Sequence, residues 1–332
     1  MNTPEELYTR IREGKLEGFS GKPLVVTTVI SNVYVFENKV LKIYKRDNDW
    51  WNTSMQNLSA GQSRINFITR DFAFNQTLNP EVYTGLKVLV QDGDMVILRD
   101  PQEGDDELVV VMNKIDTTQT LTKVLFDQKL TPHDCEKIGV DFAMKKLSLS
   151  KDFLPTELTG SWYEQLIGRF NDLEGWVSSV PDFPKEIGDK GLAQLKMVLE
   201  IQKEKFSDMG AKELAVCIDC NSENLLYSNG NLSFMDVYPP KNAWRSATFD
   251  HDIFRVGSDI YGFIVEEGFT AYLKGVYSVA ENMLDKDLHK FYLLYGAMIT
   301  GPYLYMLAQK NTNYLPYALK YTDFIKSLLS EI

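Results

Sequence analysis

Histidine and cysteine are both scarce, three of each in 332 residues. An odd, small cysteine count (Cys135, Cys217 and Cys220) excludes a disulfide framework and speaks for a reducing compartment. Cys217-Ile-Asp-Cys220 has redox or zinc spacing. Zinc needs two further ligands, and His133, His251 and His289 stand apart in sequence. The plainer expectation is two small residues packing a loop. Excess positive charge is also missing: 35 Lys and Arg against 46 Asp and Glu leave a net charge of −11. That argues against nonspecific nucleic-acid binding and suits a cationic small substrate. No signal peptide is expected, because Met1 to Leu16 is charged and helical in pattern. The longest apolar run, Phe291 to Ala308, contains Gly296, Gly301 and Pro302. It reads as a buried helix broken at Gly301-Pro302 rather than a membrane span. Gly18-Phe-Ser-Gly-Lys22 has the wrong spacing for a phosphate loop, and Pro23 follows it. Internal repeats and low-complexity tracts are absent.

What is present describes a globular chain with ample core: 44% apolar and 24% charged residues, long enough for one large domain or two ordinary ones. Thr3-Pro4-Glu5-Glu6 is a capping box opening a short helix. Leu24 to Ile30, Val33 to Phe36 and Val40 to Tyr44 read as strands, and so do Leu86 to Val90, Met95 to Arg99 and Leu108 to Met112. Between the two groups a helix runs from about Ser59 to Leu78, with Ile65, Ile68 and Phe72 on one face and Asp71 beside it. From Thr118 onward the pattern is mainly helical. Lys42, between Leu41 and Ile43, would ordinarily face solvent, and Asp71 would ordinarily be a solvated helix charge paired with a neighbour such as Arg70.

The richest stretch is 217–236. Asp219 leads a loop, and Asn224 follows just before Leu225-Leu226-Tyr227. Asn229-Gly230 is a strong two-residue hairpin signal, and the returning strand delivers Asp236. The hairpin therefore brings Asn224 and Asp236 to one end of paired strands. An amide and a carboxylate gathered this way suit Mg²⁺, and a further carboxylate can orient an acceptor hydroxyl. The alternative is an ordinary turn, a hairpin and a surface Asp.

Asp, four residues, Asn, then Asp on the next strand resembles the catalytic loop and metal aspartate of protein kinase-like enzymes. More closely, the stretch is similar to the His-Gly-Asp…Asn…Asp segment of the aminoglycoside phosphotransferase family. Cys217-Ile218 stand where that family has His-Gly, and Val237 where an aromatic is common. The resemblance implies an α+β, two-lobed protein kinase-like fold. A small antiparallel-sheet lobe with one main helix would span 1–113, and a larger, mainly helical lobe 114–332. It implies ATP- and Mg²⁺-dependent phosphoryl transfer to a hydroxyl of a small molecule; the cysteine usage, charge and apolar pattern above add the expectation of a cytoplasmic protein with neither nucleic acid nor membrane as partner. GTP in place of ATP stays open. Asp219 would be the catalytic carboxylate, and Asn224 and Asp236 the metal ligands. Lys42, paired with Asp71, would bind phosphate oxygens. Backbone near Met112 and Lys114 would meet the base, and Asp259 would support the catalytic loop. The loss of His-Gly keeps a second expectation open, a catalytically silent, nucleotide-binding relative.

Overall fold

The computed structural model describes residues 3–155, 160–210, 214–264 and 266–331. Two compact units divide the chain between Thr117 and Thr118.

The first unit is built on a six-stranded antiparallel sheet. Its strands are β1 (Leu24–Thr27), β2 (Ser31–Val35), β3 (Lys39–Tyr44), β4 (Tyr83–Asp92), β5 (Met95–Arg99) and β6 (Leu108–Asn113), in the order β1-β2-β3-β6-β4-β5. Three helices accompany it: α1 (Pro4–Arg12), α2 (Asp49–Ser54), which the sequence pattern did not suggest, and α3 (Gly61–Leu78). Side chains alternate between the faces of a strand, and β3 shows what that does here. Leu41 and Ile43 join Leu7, Tyr8 and Ile11 of α1 in one apolar core, together with Val109 and Val111 of β6. Lys42 and Tyr44 must then point to the opposite face. There Tyr44 meets α3, its ring edge-on to Phe67 at a centroid distance of 5.7 Å. The buried stripe of α3 runs through Arg64, Phe67, Ile68, Asp71, Phe74, Asn75 and Leu78. Of the expected face only Ile68 lies on it; Ile65 and Phe72 are part-exposed and Asp71 is inside.

The second unit is mainly helical: α4 (Leu121–Phe126), α5 (Pro132–Ser148), α6 (Trp162–Ser179), α7 (Lys185–Ile201), α8 (Lys203–Asp208), α9 (Phe249–Phe263), α10 (Glu266–Ala280), α11 (His289–Lys310) and α12 (Leu315–Glu331). Among the described residues between α8 and α9 lie the short strands β7 (Ala215–Val216), β8 (Leu225–Ser228), β9 (Asn231–Phe234) and β10 (Ser246–Ala247), with β8 paired to β9 and β7 to β10. Helices α5 and α10 pack at backbone contact: a Cβ on Gly139 would lie 2.2 Å from the Tyr272 carbonyl oxygen, and one on Gly275 2.0 Å from that of Glu136. The expected break at Gly301-Pro302 is not found, and α11 continues through Pro302. A proline removes one helical N–H, but α11 is buried along most of its length, and that packing holds the turn that an isolated peptide would lose. The helix is long and apolar enough to cross a membrane, yet 72% of its most apolar window is buried within the protein.

Candidate functional site

In the first unit two of the site residues expected from the sequence, Lys42 and Asp71, are inside. Lys42 is 4% and Asp71 2% exposed, which overturns the solvent-facing expectation for both. Tyr44 joins them: the Lys42 ammonium sits 4.6 Å from the centroid of the Tyr44 ring, and the Tyr44 hydroxyl donates to Asp71 Oδ2 at 2.5 Å. Asn75, one turn on, donates to Asp71 Oδ1 at 3.1 Å. Burying a carboxylate is costly unless donors surround it, and Tyr44 and Asn75 are among them. Met112, half-buried, pairs with Val40 in the sheet, while Lys114 is exposed and its N–H already donates to the Asn38 carbonyl at 3.0 Å. A cavity of about 580 Å³ in this unit is lined by Tyr8, Tyr44 and Arg46 among others, but not by Lys42.

In the second unit Asn229 and Gly230 both have positive φ, 52° and 73°, the left-handed pair a tight type I′ hairpin needs. Leu225 opposes Phe234. One step further the Met235 N–H donates to the Asn224 carbonyl at 2.8 Å, so Asn224 and Asp236 stand at the open end of the hairpin. Asp236 is exposed with φ 58°, a conformation that costs a non-glycine residue energy and is held by its surroundings. Its neighbour Val237 accepts the Asp219 N–H at 2.9 Å, which ties the loop to the far strand. The donor set at the hairpin end, one carboxylate and one amide oxygen, fits Mg²⁺, which takes few protein ligands and completes its shell with water and phosphate.

Helix α9 fixes the loop. Asp252, Arg255 and Asp259 fall on one face at intervals of three and four residues, and each grips a different point. Asp252 Oδ2 accepts the Ile218 N–H at 2.7 Å, Arg255 Nη1 donates to Asp219 Oδ1 at 3.2 Å, and Asp259 Oδ2 accepts the Ser222 N–H at 2.8 Å. Asp252 also takes the Lys146 ammonium at 2.5 Å, and both side chains are fully buried. Burial alone would raise the Asp252 carboxyl, but Lys146 and His251 hold it well below the usual carboxylate range. Burial lifts Asp259 instead, against hydrogen bonds from Tyr321 and Ser222. Burial depresses the Arg255 guanidinium, yet Asp219 beside it raises it on balance.

The three cysteines are free and buried. Burial pushes the Cys217 thiol up, so it is a donor, 3.3 Å from Asp252 Oδ1. Cys217, His251 and Asp252 bring ligand atoms within 4.8 Å of one another. Lys146 and the Ile218 N–H occupy Asp252 Oδ2, while Cys217 Sγ and His251 Nδ1 meet Oδ1, which makes Asp252 a hydrogen-bonding hub. Sequence reading missed Tyr44, Lys146, Asp252 and Arg255. The 252, 255, 259 spacing was a usable signal, whereas the partners of Lys146 lie some 70 and 106 residues away in the chain.

No family model and no curated protein matches the chain. Solved structures do. A glucosamine kinase matches at 10% identity and TM-score 0.53, over 98% of this chain and 79% of that one. A glucosamine kinase in complex with glucosamine, ADP and inorganic phosphate gives 12% identity and TM-score 0.54, over 93% and 79%. The chain has the two-lobed kinase-like fold. A spectinomycin phosphotransferase in complex with ADP and spectinomycin covers both chains almost end to end, 99% and 97%, at 11% identity and TM-score 0.51. At these identities the likeness is one of fold, and function has to be argued from the residues.

Proposed function

We propose that the protein is an ATP- and Mg²⁺-dependent phosphotransferase acting on a hydroxyl of a small-molecule acceptor. The observation that carries this reading is the grip of α9 on the loop leading to Asn224. It fixes a part-exposed carboxylate, Asp219, in the same unit as an open hairpin end bearing Asn224 and Asp236. In the reaction the acceptor oxygen bonds to the γ-phosphorus, the bond to the β-phosphate oxygen breaks, ADP leaves, and Asp219 receives the hydroxyl proton. Asn224 and Asp236 would hold Mg²⁺, which supplies charge neutralisation on the phosphates. Lys42, oriented by the buried Tyr44 and Asp71, would bind phosphate oxygens. Met112 and Lys114 would flank the base, with the Lys114 N–H unavailable to it unless Asn38 lets go. Asp259 supports the loop backbone. The first unit is the nucleotide-binding sheet and helix in this reading, and the second carries the catalytic loop and acceptor site. The nucleotides in the solved complexes support ATP, with GTP as the alternative. The buried free thiols support a reducing, cytoplasmic setting, and the negative charge a soluble partner other than nucleic acid.

A second reading has its own observation. Arg255 holds the proposed base in an ion pair, and Cys217-Ile218 precede it, as a catalytically silent nucleotide-binding protein could tolerate. One titration bears on both. A ligand that binds only the folded state at a hundredfold excess over Kd stabilises it by about 2.7 kcal/mol. ATP with Mg²⁺ is expected to raise the thermal midpoint by more than ATP with chelator. No shift with ATP, GTP or ADP at millimolar concentration, with calorimetry agreeing, removes both readings. Binding without transfer to any hydroxyl acceptor favours the silent one.

A further inference from the structure

Beside the α9 grip lies a group of donors that the proposed chemistry does not use. Arg169, on α6, is 6% exposed. One of its nitrogens donates to the Ser246 carbonyl at 2.7 Å, and its guanidinium lies 5.4 Å from the centre of the Trp162 ring. Among the described residues no carboxylate lies within ion-pair distance of it, and its Nε is buried without a partner. Gln165, one turn earlier, accepts from the Ser246 hydroxyl at 3.0 Å, but its own Nε2 is buried and unpartnered. Arg255, 7% exposed, gives Nη1 to Asp219 and likewise has a buried Nε with no partner.

These groups share one neighbourhood. Ser246, held by both α6 side chains, is the register partner of Val216, which leads directly into the Cys217–Asp219 segment. Burial pushes the Tyr295 phenol up to about 12, while both Arg169 and Arg255 pull it down. Among the described residues the carboxylates near the two guanidiniums are Asp219, Asp172 and Asp252; Asp172 is paired with Lys241 and Asp252 with Lys146, so Asp219 alone is left to face Arg169 and Arg255 and one positive charge is unmatched. An unmade hydrogen bond on a buried donor costs about 1–3 kcal/mol, and an uncompensated buried charge costs more. Packing alone would replace such a side chain with an apolar one. A ligand that carries the missing negative charge turns the same donors into favourable contacts, and planar guanidiniums match carboxylate and phosphate oxygens in geometry. Asp219, whose side chain is 32% exposed, is the point where this cluster reaches solvent.

We propose that the acceptor is a hydroxyl compound that also carries an anionic group, a carboxylate or a phosphate monoester, bound by Arg169 and Arg255 beside Asp219. This rests on the phosphotransferase reading above, and it narrows the acceptor class away from the cationic compounds that the overall charge alone would suggest.

The test is calorimetric titration of the nucleotide-free full chain with matched pairs: D-gluconate against sorbitol, and glycerol 3-phosphate against glycerol. Acetate and inorganic phosphate serve as hydroxyl-free probes. At least one anionic member should bind tenfold or more tightly than its neutral partner. Arg169→Gln should abolish that advantage, and Arg169→Lys should restore part of it. With Mg·ATP present, the favoured anionic compound should be phosphorylated, and Arg169→Gln should raise its KM with the KM for ATP little changed. Equal binding of neutral and anionic members, or an anionic advantage that survives Arg169→Gln, overturns the proposal. So does inorganic phosphate binding while the hydroxyl-bearing anions do not, which would assign the cations to the transferred group. Should the variants fail to fold, the wild-type pairs decide alone. Mg·ATP binding without an anionic preference sinks this inference and leaves the phosphotransferase reading standing. Anion binding without Mg·ATP binding sinks the phosphotransferase reading and the acceptor assignment with it.

Discussion

A lysine between leucine and isoleucine on a strand ordinarily points to water, and an aspartate in mid-helix ordinarily does the same. Lys42 and Asp71 do neither, and Tyr44 explains why. Two residues beyond Lys42 on the strand, its ring lies beneath the ammonium and its hydroxyl reaches the carboxylate. Alternation along the strand thus puts Lys42 and Tyr44 on the face that α3 covers, where they form a buried polar cluster with Asp71, with Leu41 and Ile43 filling the core on the opposite face. Asp219 is the residue on which the proposed chemistry turns. Asp219→Asn is expected to keep Mg·ATP binding while lowering transfer or ATP hydrolysis about 10²-fold or more, the scale of lost acid–base assistance. Single-turnover measurements check this, and undiminished turnover in a clean variant would take the role away from Asp219.

At the scale of elements, α9 organises the second unit. Its Asp252, Arg255 and Asp259 satisfy loop groups that no regular ladder reaches, which is the general requirement on buried backbone. Of the three titratable groups in its first turn, Asp250 and His251 are shifted by burial in opposite senses. The Asp250 carboxyl, buried and accepting the Asp285 N–H at 2.9 Å, is pushed up to about 7. The folded state therefore keeps a proton that the unfolded chain has already released, and the stability from this group falls as pH rises toward 7. Burial draws His251 down to about 4 from 6.5. Here the unfolded chain binds the proton first, so stability rises as pH climbs from about 4 to 6.5. In the wild type the two slopes offset each other across that window. Asp250→Asn keeps an oxygen for the Asp285 N–H and removes one slope, so its urea midpoint should climb more steeply between pH 4 and 6.5 than the wild type's. Parallel profiles for the two proteins would contradict the shift assigned to Asp250.

For the whole molecule, the division into residues 1–117 and 118–332 has a calorimetric consequence. Each unit has a core of its own, and chains with more than one core commonly depart from two-state unfolding. At about 0.7 kcal/mol per residue near 60 °C, the units would carry unfolding enthalpies of roughly 80 and 150 kcal/mol. The ratio of calorimetric to van't Hoff enthalpy is expected to exceed one. A ratio of one, with fluorescence and far-ultraviolet transitions coincident, would mean that the units melt as a single cooperative body.

Local chemistry made part of this legible without coordinates. Strands β3, β5 and β6, the α1 capping box and the Asn229-Gly230 turn follow from alternation, caps and φ preferences, which act over a few residues. The spacing of Asp219, Asn224 and Asp236 was readable for the same reason: a tight hairpin converts sequence distance into spatial distance. Burial and long-range partnership were not. Whether Asp71 faces water depends on which face of α3 the sheet covers. Whether α11 survives Pro302 depends on the helices packed around it. The Lys146–Asp252 pair spans 106 residues, and whether an acid lies beside Arg169, as none does among the described residues, is likewise a matter of folding. Hydrogen bonds, ion pairs and desolvation are decided by distances between residues far apart in the chain, and only the tertiary structure sets those.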